Sequence, residues 1–143
     1  MDYDNFNMRV LLSLMLICFV SANLSLNEFQ VGMPCSSSQG FSVTNFNVVP
    51  YPPSTCDPQA VTMQGVFNQN ACPNKITILE NYNHRQTNQQ VINIEGCFAK
   101  SQSNTFNFTV TPFQCSSGFY NMQITLTEEP NYIEACWQYQ YYI

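Results

Sequence analysis

The chain has 143 residues, 45% of them hydrophobic, 14% aromatic and only 9% charged, with a formal net charge of −5. That length suits one domain, or one domain plus a processing segment, and the apolar content is enough for a sizeable core. The four basic residues form no stripe, which excludes the electrostatic footprint of a nucleic-acid binder.

In chain order the first feature is "VLLSLMLICFV", Val10 to Val20, too short to span a bilayer but right for the apolar region of a signal peptide. Arg9 precedes it, and Val20, Ser21 and Ala22 place small residues where a signal peptidase reads. Residues 1–22 are therefore expected to be a signal peptide, with the domain covering 23–143. Asp2 and Asp4 make the leading segment less positive than usual, which leaves a retained anchor as the alternative. Without the leader, Lys75, Arg85 and Lys100 stand against seven acidic residues, a net charge of −4.

Cys18 would leave with the leader, and six cysteines remain: Cys35, Cys56, Cys72, Cys97, Cys115 and Cys136. An even set in an exported chain of this size reads as three disulfides. Two glycosylation sequons agree with export, at Asn23 and Asn107.

Beyond the leader, helical periodicity is nearly absent and two-residue alternation recurs. "FSVTNFNVV" sets Phe41 and Val43 on one parity and Phe46 and Val48 on the other, which predicts a bulge near Thr44 and Asn45. Pro50, Pro52, Pro53 and Pro58 then force an extended loop. Val61, Met63 and Phe67 share a face in the next strand, and Ile76 and Ile78 in the one after. "NYNHRQTNQQ" reads as a polar loop, followed by a strand with Ile92, Ile94 and Phe98. In "NTFNFTVTPF" the sequon residues Asn107 and Thr109 must face out, so Phe106, Phe108 and Val110 must face in.

"YNMQITLT" repeats the pattern, with Tyr120, Met122, Ile124 and Leu126 in and Asn121, Gln123, Thr125 and Thr127 out. The last stretch, "IEACWQYQYYI", aligns Ile133, Ala135, Trp137, Tyr139, Tyr141 and Ile143 on one face. About seven one-sided antiparallel strands of this kind predict an all-β fold, a β-sandwich stapled by disulfides. Clusters such as Asn68, Gln69 and Asn70 fall between patterned runs, so biased coding accounts for them better than a prion-like tract.

Catalytic chemistry has little to build on. His84 is the only histidine, it lies in a polar stretch, and paired cysteines leave no thiolate for a Cys-His couple. No phosphate loop or nucleophile elbow occurs, so no catalytic residue, metal or cofactor is expected, and the chain does not read as an enzyme. What remains is apolar surface. It either fills the space between two sheets or lines a cavity there, and periodicity is the same in both cases.

"CSSSQGFSVTNFNVVPYPPSTC", Cys35 to Cys56, resembles the first strand region of the ML family of secreted lipid-recognition domains, which includes the Niemann–Pick type C sterol carrier and phospholipid-transfer proteins. "ACWQYQYYI" resembles the family's last strand, and "NFTVTPFQCSSGFYNMQITL" its later strands. The resemblance implies an immunoglobulin-like β-sandwich with a ligand cavity between its sheets. It also implies disulfides Cys35–Cys136, Cys97–Cys115 and Cys56–Cys72.

By the same resemblance, the function expected is a secreted or endolysosomal lipid-binding and transfer protein, holding a sterol, fatty acid or phospholipid and touching a membrane or receptor transiently. Three basic residues give little for anionic membranes to hold. The wall residues expected are Val43, Val48, Met63, Ile78, Ile94, Phe106, Phe108, Met122, Ile124, Trp137 and Tyr139. The alternative is a non-transporting secreted interaction module or assembly subunit, with the same residues packed as a solid core.

Overall fold

The computed structural model describes residues 30–37 and 40–143. The expected signal peptide, residues 1–22, and the Asn23 sequon lie outside the described residues. Eight strands occur in chain order: β1 (Met33–Pro34), β2 (Phe41–Val49), β3 (Gln59–Phe67), β4 (Lys75–Tyr82), β5 (Arg85–Asn93), β6 (Ser103–Val110), β7 (Phe119–Glu128) and β8 (Tyr132–Tyr142). They pair antiparallel in two sheets, one in the order β1-β8-β7-β4-β5 and the other β2-β3-β6. The sheets stack into an immunoglobulin-like β-sandwich. Two-residue β1 adds to the seven strands that alternation predicts, being too short to show a period.

Alternation sets the inner faces. Val61, Met63 and Phe67 of β3 and Phe106, Phe108 and Val110 of β6 meet Ile76 and Ile78 of β4 and Tyr120, Met122, Ile124 and Leu126 of β7 in one core. The register of β2 against β3 slips between Val43 and Asn45, at the expected bulge, so both Phe41 and Phe46 are buried.

A second bulge escapes local pattern. Leu126 pairs with Ala135 but Thr127 pairs with Ile133, which leaves Glu134 as an extra residue in β8. Ile133, expected inside, is 39% exposed, while Glu134 is fully buried. A Cβ on Gly40 would collide with the Glu134 carboxyl group, so the approach to β2 needs a residue without a side chain there. Thr125 and Thr127, expected to be exposed, are buried. Their strand is flanked on both sides, and Thr125 Oγ1 lies 4.0 Å from Cys136 Sγ beside the disulfide.

The polar stretch expected to be a loop is mostly strand β5. Its turn is confined to Asn83 and His84, with φ of 46° and 65°, between the paired residues Tyr82 and Arg85. β5 borders only β4, and an edge strand tolerates polar side chains that a central one would not. It ends at Asn93, so Ile94 and Phe98 follow the strand rather than belong to it.

Cys35 is bonded to Cys136. The other two disulfides are Cys56–Cys115 and Cys72–Cys97, in place of the expected Cys97–Cys115 and Cys56–Cys72. Register supplies the reason. Gln59 pairs with Val110, so the loops carrying Cys56 and Cys115 leave the same end of the smaller sheet. β4 and β5 form a hairpin with Cys72 before it and Cys97 after it. Ala71 and Phe98 bridge beside them through hydrogen bonds of 3.0 and 2.8 Å.

Candidate functional site

The inner faces divide into two aromatic groups. Where β2 begins, the Phe41 ring lies 4.7 Å from Phe67 and 5.6 Å from Phe106, and Phe98 stacks on Phe67 at 4.7 Å. Toward the other end, Phe46 stacks on Trp137 at 5.6 Å and approaches Tyr139 at 6.0 Å. From there the rings continue through Tyr141, Tyr120 and Tyr82 at 6.0, 5.0 and 5.1 Å.

The eleven expected wall residues come together here. Val48, Met63, Ile78, Phe106, Phe108, Met122, Ile124, Trp137 and Tyr139 are buried in the common core, and Val43 and Ile94 are partly buried against it. They pack on one another as side chains of a filled interior do.

Polar groups enter the interior at the tyrosine end. Gln59 is fully buried; its Oε1 accepts from Tyr139 Oη at 3.1 Å, and its Nε2 donates to Pro50 O at 3.2 Å. Tyr141 Oη is buried without a hydrogen-bond partner among the described residues. Burial, then Tyr141 and Tyr51, pushes the Tyr139 hydroxyl above the ordinary phenol range, and burial, then Glu80 and Tyr120, does the same for Tyr141. Both stay neutral. Glu80 holds the loop above by accepting from Phe113 N at 2.7 Å and Gln114 N at 3.1 Å.

The sheets approach each other laterally at β2 and β8. Val31 spans the gap, its N–H donating to Phe46 O at 2.9 Å and its carbonyl accepting from Trp137 Nε1 at 2.8 Å. Beside this strap lies a cleft of about 200 Å³, walled by Phe41, Val43, Ala135 and Trp137 with Ser36 and Ser42 at its polar side. That is below the roughly 300–1,000 Å³ of typical small-molecule sites. A ligand of lipid size therefore needs the inner faces to part.

The bulged Glu134 is the main feature that sequence reasoning missed. A Glu on the polar parity of an alternating run reads as solvated, and only the long-range slip against β7 turns it inward. Burial first, then the neighbouring Glu128 carboxyl group, raises its pKa to about 7, against a lowering by Gln69. His84, the lone histidine, stacks on Phe119 with centroids 5.2 Å apart. No cluster of three or more His, Cys, Asp and Glu side chains forms among the described residues. Asn107 is exposed on β6, and its Oδ1 accepts from Thr62 Oγ1 at 3.0 Å.

Together these features define a disulfide-stapled immunoglobulin-like sandwich with an apolar, aromatic-rich interior. A solved structure of a Niemann-Pick type C2 protein from Japanese carpenter ant is similar to it, with a TM-score of 0.54 at 8% sequence identity, over 79% of this chain and 98% of that chain. At the level of fold, the likeness to ML-type domains is borne out. No family model and no curated protein matches the sequence.

Proposed function

We propose that this chain is a lipid-binding protein of the secretory route, taking a sterol, fatty acid or phospholipid chain between its two sheets and handing it on without catalysis. The observation that carries the reading is the lateral cleft, where Phe41, Val43, Ala135 and Trp137 lead from the surface to the inner faces between β2 and β8. Burial of a lipid tail supplies about 25 cal/mol per Å² of apolar area removed from water, so no charged group is required. The fold shared with the Niemann-Pick type C2 protein supports the reading, and three disulfides support an oxidising compartment, either extracellular or endolysosomal. The exposed Asn107 is the proposed glycan acceptor.

Lipid extraction and mass spectrometry of protein purified from its host without detergent tests this directly, together with uptake of a fluorescent sterol and a fluorescent fatty acid. Stoichiometric lipid or saturable uptake is expected, and Val43→Trp, which plugs the cleft, should slow uptake while leaving thermal stability close to wild type. Absence of lipid and of uptake in repeated preparations would refute carriage. The packed state of the eleven wall residues favours a second reading, a solid sandwich acting through its surface as an interaction module, and that refuting outcome is what it predicts.

A further inference from the structure

We propose a second binding site, for a neutral oligosaccharide, on the outer face of the five-stranded sheet, remote from the space between the sheets. Three amides stand in register on neighbouring strands: Asn81 of β4 pairs with Asn121 of β7, and Asn121 with Gln140 of β8. With His84 and Phe119 they line one cleft of about 480 Å³, within the size range of small-molecule sites. The rest of its wall is the His84 ring stacked on Phe119. Left-handed backbone at Asn83 and His84 holds that turn in place, and Asn83 Oδ1 accepts from Phe119 N at 3.0 Å to clamp it to β7.

The chemistry of this lining selects its ligand. It contains no carboxylate, ammonium or guanidinium, so it offers no fixed charge to favour a phosphate, an acidic peptide or a cation over a neutral ligand. Each amide offers an acceptor oxygen and two donor hydrogens, which suits groups that both donate and accept, as sugar hydroxyls do. Strands lie about 4.8 Å apart, so hydroxyls on opposite sides of one sugar ring can meet amides from adjacent strands. Asn121 Oδ1 is buried and has no hydrogen-bond partner among the described residues, a deficit that a ligand hydroxyl would fill once the amide turns about its soft terminal torsion. The aromatic wall gives the C–H face of a sugar an apolar surface to lie on. Amide content alone does not define the site. Gln123 and Gln138 pair in the next row, with Leu79 beside them in place of a third amide.

The test is an NMR titration of the isotope-labelled full chain with maltotriose, cellotriose, mannotriose and chitotriose. Saturable shifts of the Asn81, Asn121 and Gln140 side-chain amides are expected with at least one sugar. Asn121→Asp, nearly isosteric, and Phe119→Ala should each weaken that binding about tenfold or more, the loss of one good hydrogen bond or the apolar wall. Lipid uptake by both variants should be unchanged, since neither side chain lines the interior. Absence of saturable shifts with all four sugars, or binding that survives both substitutions, overturns the proposal.

Discussion

A carboxyl group withdrawn from solvent beside another carboxyl holds its proton longer than one in water. Glu134 is fully buried, with Glu128 nearby, and its pKa is raised from 4.5 to about 7. The folded chain therefore binds this proton more tightly than the unfolded chain. The resulting stabilisation is complete below about pH 4.5, declines as pH rises through the interval to about 7, and is absent above it. Thermal unfolding should accordingly give a higher Tm at pH 5 than at pH 7.5. Glu134→Gln, which keeps the shape and removes the titration, should flatten that difference and raise Tm at pH 7.5. An unchanged pH profile in the variant would show that other groups set it.

At the scale of elements, alternation read most of the strands correctly because over most of their length they are buried on one side only, the second half of β7 and the first half of β8 excepted. β6 shows this best, since Phe106, Phe108 and Val110 stand in the core as their parity requires, and Met122 and Ile124 do so in the first part of β7. The sequence was silent where structure depends on a distant partner. Nothing local to "IEACW" reveals that β8 carries an extra residue against β7, and nothing in "RQTNQQ" distinguishes an edge strand from a loop. The candidate wall was equally legible as a set of inward residues, while its state, filled or parted, lies in packing that parity does not encode.

The same elements make the inner face of β2 energetically decisive. Phe46 is fully buried, stacked on Trp137 and close to Tyr139 across the sandwich. Phe46→Ala should cost about 3–5 kcal/mol, whereas Phe113→Ala, at a residue 67% exposed, should stay within about 0.5 kcal/mol of wild type. Urea unfolding of the two variants measures both. A small loss at Phe46 would mean the interior collapses readily around the vacancy, which is the plasticity a lipid carrier needs.

For the molecule as a whole, the disulfides do what a sandwich of this size cannot do by strand pairing alone. No strand is shared between the sheets, so their alignment rests on core packing, the Val31 strap, side-chain hydrogen bonds such as Tyr139 to Gln59, and covalent ties. Cys35–Cys136 closes 101 residues and fastens the segment before β2 to the last strand; Cys56–Cys115 closes 59 and Cys72–Cys97 closes 25. In the chain-entropy model these loops correspond to about 4.7, 4.2 and 3.5 kcal/mol of stabilisation. Replacing each pair in turn by serines should therefore destabilise in that order, read as urea midpoints at constant m. The Cys72–Cys97 pair should be the mildest loss for a second reason. The β4–β5 hairpin and the Ala71–Phe98 bridge already hold its two ends together. A larger loss there than at Cys35–Cys136 would mean that native packing around the hairpin, rather than restriction of the unfolded chain, is what that disulfide secures.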